Sequence, residues 1–213
     1  MSAAPLLEVE DLRIRFETET GPVVAVDGVS FVVEDDMVLG IVGESGSGKS
    51  VTMLSVMGLI NDPNAVIEGS VRYRGRELLD LRRSEWRSVR GSEIAMIFQD
   101  PMTSLNPVYR VGWQIAEQLR AHERLTRADT RARVIELMRQ VGIPDAAQRV
   151  DDYPHQFSGG QRQRLMIAMA LSARPRLLIA DEPTTALDVT IQAQILDLIR
   201  SLAEDTRASV VLI

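Results

Sequence analysis

A short apolar run that leads directly into a glycine-rich loop is the feature that most constrains this chain. Residues 38–42 are nearly all apolar, which is typical of a buried parallel strand. The loop that follows matches the pattern G-x-x-x-x-G-K-[ST] in full, and residues 51–59 then predict a helix. The loop consists of Gly43, Glu44, Ser45, Gly46, Ser47, Gly48, Lys49 and Ser50. Because its glycines free backbone N–H groups at a helix N-terminus, we expect an α/β fold that binds phosphate here.

The lysine of this loop is the single lysine of the chain. Of the 24 Lys and Arg residues, 23 are Arg and one is Lys49. Arg carries a wide planar fork, whereas Lys is a compact point charge on a thin stem, so a tight site favours Lys. We expect Lys49 to reach β- and γ-phosphates and Ser50 to bind Mg²⁺ through its hydroxyl. A flexible glycine–serine turn is the ordinary alternative, and the flanking strand and helix patterns count against it.

Strand and helix patterns alternate along the chain, which implies a mostly parallel α/β sheet. Residues 6–16, 23–33, 177–180 and 209–213 predict strands. Residues 107–142 and 158–173 predict helices, with Thr126 and Asp129 as a capping box. Asp188 can cap a further helix. The apolar face predicted for that helix consists of Ile191, Ile195, Leu198 and Leu202.

Composition limits the class of protein. The 213 residues are 45% apolar, enough for one well-packed domain, and no apolar stretch or signal sequence predicts membrane insertion or secretion. The chain has no cysteine, which fits a cytoplasmic protein. A net charge of -6 argues against nucleic-acid binding. We interpret the one basic cluster as a solvated surface; it consists of Arg72, Arg74, Arg76, Arg82, Arg83, Arg87 and Arg90.

Two carboxylates end the apolar run 177–180. Asp181 and Glu182 follow it directly, at the strand end where open α/β sheets bind ligands. Asp181 is placed to hold Mg²⁺ and Glu182 to polarise an attacking water. Acids often end strands, so this pair gains weight only beside the phosphate loop.

A second glycine-containing helix start lies shortly before those acids. Ser158, Gly159, Gly160 and Gln161 precede an apolar helix and can offer a hydroxyl and backbone amides to a phosphate. An ordinary serine N-cap is the alternative. The segment 157–164 closely resembles the signature sequence of ABC ATPases, and with it the resemblance covers essentially the whole chain.

The resemblance implies further site residues. Gln99 resembles the Q-loop glutamine that contacts Mg²⁺ and the attacking water, although a surface amide is possible for such a residue. Phe16 matches the aromatic residue that stacks on adenine, with a core strand phenylalanine as the alternative. Val51 extends the phosphate loop. Asp188 lies in a segment, 186–188, that resembles the D-loop. The catalytic residues implied are Glu182, Gln99 and Lys49, and the metal ligands implied are Ser50, Gln99 and Asp181.

Within that family, residues 98–107, 153–160 and 181–196 resemble the ATPases of oligopeptide, dipeptide and nickel importers. Met102 points to the first of their two paired ATPase subunits. The resemblance implies a P-loop NTPase fold with a mostly parallel sheet, an N-terminal antiparallel β subdomain and an inserted helical subdomain. One nucleotide-binding domain would occupy 1–213. Its ATP-binding core would be 1–105 and 166–213, and its helical subdomain, with the signature, 106–165.

The implied function is ATP hydrolysis, with ATP and Mg²⁺, at the cytoplasmic face of a membrane. Ser158, Gly159, Gly160 and Gln161 would cover the ATP of a second ATPase subunit. Two permeases and, indirectly, a solute-binding protein would be further partners, without nucleic acid. The rival hypotheses are a soluble ABC-type ATPase acting on DNA or ribosomes and a nucleotide-binding fragment deficient in hydrolysis. The second arises because we expect the chain to be truncated before the family's switch histidine, with His122 and His155 lying elsewhere.

Overall fold

The computed structural model describes residues 4–100, 104–185 and 187–213. Its strands are β1 (Leu7–Phe16), β2 (Val23–Val33), β3 (Val38–Gly40), β4 (Ala65–Tyr73), β5 (Arg76–Glu77), β6 (Ile94–Ile97), β7 (Leu177–Ala180) and β8 (Ser209–Leu212). Its α-helices are α1 (Lys49–Val56), α2 (Trp86–Val89), α3 (Val111–His122), α4 (Arg127–Gln140), α5 (Ala146–Arg149), α6 (Gly159–Leu171) and α7 (Val189–Thr206), and Pro154–Gln156 forms a 3₁₀ turn. The chain divides into two compact units, one up to Arg90 together with Ser209–Ile213 and the other Gly91–Ala208.

The first unit contains the antiparallel sheet expected near the N-terminus. Its strand order is β2-β1-β4-β5, and β1 pairs with β2 from Leu7↔Val33 to Phe16↔Val23. The apolar residues of β1 are buried with period two on either side of a register shift between Val9 and Leu12, while Phe16 is half-buried. Leu7, Leu12 and Ile14 are completely buried. Helix α1 contacts β2 and adds Met53 and Val56 to this core.

The strand before the phosphate loop is less buried than its apolar sequence predicts. β3 pairs in parallel with β8 through Val38↔Val210 and Leu39↔Val211. Val38 is 66% exposed and Val42 95% exposed, so the expectation of a buried strand at residues 38–42 is wrong. Among the described residues β8 is the only recorded partner of β3, and Val210 and Val211 of β8 take the buried positions instead.

The second unit contains the buried parallel pair β6 and β7. They run in register from Ile94↔Leu177 to Ile97↔Ala180, and all eight residues are buried. Helix α6 packs on β6 and also contacts α3, α4 and α7. These helices contribute Ile115, Leu119, Met138 and Leu165, each completely buried. The mostly parallel α/β arrangement with a helical segment agrees with the sequence, while the predicted partition into 1–105, 106–165 and 166–213 stays a prediction.

Three helix starts have side-chain N-caps at the residues that the sequence predicts. The hydroxyl of Thr126 accepts from the amide of Asp129, that of Ser158 from Gln161, and the carboxylate of Asp188 from Ile191. At Thr126 only half of the predicted capping box is recorded, because the Asp129 carboxylate accepts from the Thr126 hydroxyl. The buried face of α7 differs from the prediction.

That face comprises Ile195, Ile199 and Ala203, while Ile191, Leu198 and Leu202 are half-buried. The buried residues of α7 are therefore spaced four apart, because packing against α6 decides which side of this apolar helix turns inward.

Among the described residues, every helix is too short or too polar to span a membrane.

Candidate functional site

The phosphate-loop candidate is an exposed loop closed by its own lysine. The ammonium of Lys49 donates to the carbonyls of Gly43 at 2.8 Å and Glu44 at 2.7 Å. It also lies 3.3 Å from the hydroxyl of Ser47. The lysine therefore stands inside the ring of the loop, where a positive charge would meet any anion bound by the loop amides.

Two glycines give the loop its shape. Gly46 and Gly48 have φ of 81° and 86°, the left-handed region that residues with a Cβ rarely adopt. At Gly48 a Cβ would also lie 2.3 Å from the carbonyl oxygen of Ala25 on β2, whereas at Gly46 it would meet nothing within 4 Å. Gly48 thus lets the loop backbone approach β2. Gly46 contributes only its left-handed conformation to the bend of the loop.

The loop has the donor set that a phosphate requires. Within the described chain, no acceptor is recorded for the backbone amides of Gly46, Gly48 and Lys49. They precede or begin α1, whose dipole adds partial positive charge. The amide and hydroxyl of Thr52 both donate to Gly48, at 2.8 and 2.9 Å, which fixes the helix to the loop. Open amides, a lysine and a helix N-terminus fit a phosphate group.

Glu182 and Gln99 meet at the carboxyl ends of the parallel pair in the second unit. Gln99 follows β6 and the two acids follow β7, whose ladder continues through the Asp181 amide to the Ile97 carbonyl at 2.9 Å. The Gln99 side-chain amide donates to Glu182 Oε2 at 2.9 Å. Asp181 is 5% exposed, and Glu182 has φ of 44°. Left-handed backbone at a non-glycine residue is uncommon and clusters at functional sites.

The helix start at Ser158 is a complete capping box. Its hydroxyl accepts from the Gln161 amide at 3.3 Å, and its own amide donates to Gln161 Oε1 at 3.2 Å. Arg149 also reaches Gln161 Oε1, at 3.4 Å, and covers the ring of Phe157 at 4.0 Å from its centroid. Its further bonds to Asp152 and the Gln156 carbonyl hold the segment before α6. The predicted contact of residues 158–161 with a second subunit stays a prediction.

The remaining predicted residues lie as follows. Phe16 ends β1, half-buried between Val23 and Ala65, a position open to either of its predicted roles. Ser50 and Val51 lie in the first turn of α1. His155 stacks on Tyr153 at 5.8 Å, as expected of a local structural residue.

Two sequence positions with a predicted meaning, Met102 and Ala186, lie outside the described residues. The roles assigned to all of these site residues stay predictions.

Sequence reasoning missed two residues that shape the Glu182 site. The Thr185 hydroxyl donates to Glu182 Oε2 at 2.9 Å. The Gln192 amide donates to the carbonyls of Thr184 at 3.2 Å and Leu187 at 3.0 Å, which ties this loop to α7. Thr185 could have been found from its position three residues after the Glu182 carboxylate. Gln192 has no comparable sequence signal, because a glutamine on a helix is ordinary.

The family model described as "ABC transporter" matches residues 26–185. The chain is 56% identical to a dipeptide transport ATP-binding protein of Lactococcus lactis, over 215 residues that cover 100% of this chain and 61% of the relative. It is 53% identical to the dipeptide transport ATP-binding protein of Escherichia coli, with 98% and 64% covered. The chain thus spans less than two thirds of the length of these curated relatives.

Solved structures resemble the fold. One is a dimeric bacterial ABC transporter cassette, with a TM-score of 0.83, 28% identity, and 97% of this chain and 87% of that chain covered. Another is the dimeric post-hydrolysis state of an ATP-binding cassette bound to ADP and Pi, with a TM-score of 0.82, 27% identity and the same coverage. The family model covers residues 26–185, which contain the phosphate loop, the signature segment and the Asp181–Glu182 pair. This chain belongs to the ABC transporter family.

Proposed function

We propose that this chain is the nucleotide-binding part of an ATPase subunit that powers a bacterial peptide importer. The observation that carries the proposal is the carboxylate of Glu182, held by Gln99 where the parallel strands β6 and β7 end. A carboxylate fixed in this way can accept a proton from water, which is the role of a general base in hydrolysis. In the first unit, the phosphate loop would bind the phosphates of ATP.

In this proposal Lys49 and the open amides of Gly46 and Gly48 bind the β- and γ-phosphates. The ammonium would leave the carbonyls of Gly43 and Glu44, which now satisfy it, for oxygens of greater negative charge. When bound with ATP, Mg²⁺ would neutralise the charge that develops on the leaving group. Ser50 of the phosphate loop carries a hydroxyl oxygen. In the second unit, Asp181 carries a carboxylate and Gln99 an amide oxygen, and all three are hard donors of the kind that Mg²⁺ prefers.

Glu182 acts on water in this proposal. Its Oε2 accepts from Gln99 and Thr185, while for Oε1 no donor is recorded within the described residues. Oε1 is therefore the atom that accepts a hydrogen bond from water and orients it for attack. The Glu182 side chain is half-buried, so it is not closed off from solvent as a whole.

The partners follow from the relatives and the helical segment. The similar solved cassettes are dimers, which supports a second ATPase subunit whose ATP would meet residues 158–161. The relatives named for dipeptide transport support peptides as the solute. Two permeases would be the membrane partners in this proposal. The subunit would then lie at the cytoplasmic face of the membrane without entering it, and a solute-binding protein would act through the permeases.

An exposed aromatic surface in the second unit supports contact with a permease. Tyr109 stacks on Trp113 at 4.5 Å, and both side chains are nearly half exposed. Buried Gln114 fixes the preceding loop, because its side chain accepts from the amide of Asn106 and donates to the carbonyls of Asn106 and Tyr109. A groove of about 480 Å³ adjoins Trp113. Two exposed aromatic rings on a fixed loop offer a surface on which a permease could dock.

The test is Glu182→Gln in the full-length protein assembled with its partner subunits. Removing the base should lower the ATP turnover number at least about 100-fold, because general base catalysis contributes roughly 10²- to 10⁴-fold. Affinity for Mg·ATP should stay within about threefold, since the loop residues bind the phosphates. Glu204→Gln is the matched control: it changes an exposed glutamate of α7 in the same way and should leave turnover unchanged.

Each outcome separates the proposal from a rival. Full turnover in Glu182→Gln would remove Glu182 from its role and overturn the proposed mechanism. An unmodified assembly that binds Mg·ATP without hydrolysing it would favour the binding module deficient in hydrolysis. Co-purification with nucleic acid or ribosomes, rather than permeases, would favour the soluble ATPase, against which the net charge of -6 already counts.

A further inference from the structure

We infer that Thr185 is a positioning residue for the Glu182 carboxylate, and this inference rests on the proposed function of Glu182. The Thr185 hydroxyl donates to Glu182 Oε2 at 2.9 Å, and its amide donates to the Glu182 carbonyl at 3.3 Å. Thr185 therefore binds both the backbone carbonyl and the side-chain carboxylate of Glu182 across one turn. This double contact differs from an incidental surface hydrogen bond, which would fix only one of them.

Both donors to the carboxylate converge on one oxygen. Gln99 reaches Oε2 from the end of β6, also at 2.9 Å, while Thr185 reaches it from the far side of the turn. A glutamate has several rotatable bonds and many rotamers, so a single donor leaves the direction of the other oxygen undetermined. Two donors on Oε2 fix the plane of the carboxylate and leave Oε1 to accept from water.

The backbone shows that this turn is a constrained one. Glu182 has φ of 44°, a conformation that persists only where surrounding contacts hold it. Gln192 supplies such contacts, because its side-chain amide binds the carbonyls of Thr184 and Leu187 on either side of Thr185. The Thr185 hydroxyl therefore lies next to a carbonyl that α7 holds through the Gln192 side chain.

Positioning of Glu182 requires a hydroxyl at residue 185. Two substitutions separate the effect of this hydroxyl from that of the side-chain shape. Thr185→Val keeps the branched shape and removes the donor, while Thr185→Ser keeps the donor and removes a methyl group. In the full-length assembly Thr185→Val should lower the turnover number about tenfold, the effect expected for loss of one hydrogen bond to a charged group. Mg·ATP affinity and KM should stay within about twofold, and Thr185→Ser should retain at least half of the turnover.

A double variant separates positioning from a merely structural role. If Thr185 acts through the carboxylate, Thr185→Val should have no further effect once Glu182 is Gln, so the double variant should match the residual rate of Glu182→Gln. Thr190→Val, on an exposed threonine in the first turn of α7, is the matched control and should not change turnover. Urea unfolding of each variant confirms that the fold is retained.

The results distinguish two failures. If Glu182→Gln abolishes turnover but Thr185→Val is fully active, the positioning role is wrong and the proposed function stands. Equal losses in Thr185→Val and Thr185→Ser, or a loss that multiplies that of Glu182→Gln, would also overturn the positioning role. If Glu182→Gln itself retains full turnover, the proposed function fails at the carboxylate, whatever Thr185 does.

Discussion

Two glycine-containing helix starts in this chain, at residues 43–50 and 158–161, are stabilised in different ways. The first has no side-chain cap: Gly48 stands at the N-cap with φ of 86°, and backbone amides around it have no recorded protein acceptor. The second is capped by side chains, since Ser158 and Gln161 satisfy each other's backbone amides. The backbone amides of the first helix start are therefore open to a ligand. At the second helix start, two of the backbone amides are already bound by the side chains of Ser158 and Gln161.

The glycines also differ in what they do. Gly48 needs its left-handed backbone and its close approach to Ala25. Gly159 and Gly160 lie in ordinary helix, and a Cβ at Gly160 would meet only a methyl group of Ile191, at 3.1 Å. The comparison teaches that glycines at a helix start can shape an open backbone loop in one place and lie within a packed, self-capped helix in the other. Substitutions can break or sharpen this distinction.

The largest expected effect is on nucleotide affinity at the first start. Lys49→Arg keeps the charge but replaces a compact ammonium, which lies between the carbonyls of Gly43 and Glu44, by a wide fork. We expect Mg·ATP to bind about 100-fold more weakly, a loss of about 2.7 kcal/mol, measured by titration calorimetry. Arg124→Lys, the reverse exchange at an exposed position, should leave affinity unchanged. Retained affinity in Lys49→Arg would show that the site does not require a narrow cation.

The second prediction compares two glycines of the same loop. Gly48→Ala should lower the free energy of unfolding by about 2 kcal/mol, because it combines backbone strain with the overlap on the Ala25 carbonyl. Gly46→Ala has similar strain and open space around it, so we expect a loss of about 1 kcal/mol. Urea unfolding of both variants measures the difference. Equal losses would mean that the approach to β2 does not shape the loop.

The sequence predicts these two starts well because their chemistry is local. The phosphate-loop pattern, the caps at Thr126, Ser158 and Asp188, and the acids after β7 all lie within a few residues of the structure they determine. The family model and the solved cassettes confirm the fold class and the family. The Gln99–Glu182 contact is not predicted, because the sequence pattern predicts no strand at β6, and β6 and β7 become neighbours only in the folded sheet.

What the sequence does not predict depends on residues that meet only after folding. The buried face of α7 passes through Ile199 and Ala203 because of its neighbours, and its leucines look equally suitable. Arg149 is one of 23 arginines, and nothing in its local sequence shows that it will bind Gln161 and cover Phe157. The exposure of Val38 likewise depends on which elements pair with β3. Tertiary context decides each of these points.

The smallest predicted effect tests the self-capped start. Ser158→Ala removes the acceptor for the Gln161 amide and should lower the free energy of unfolding by about 1 kcal/mol, the usual value of an N-cap. Ser158→Thr keeps a capping hydroxyl and should stay within about 0.5 kcal/mol of the unmodified protein. Urea unfolding at constant pH measures both. If Ser158→Ala is as stable as Ser158→Thr, the capping box contributes nothing, and the second start would resemble the first in holding its donors for a ligand.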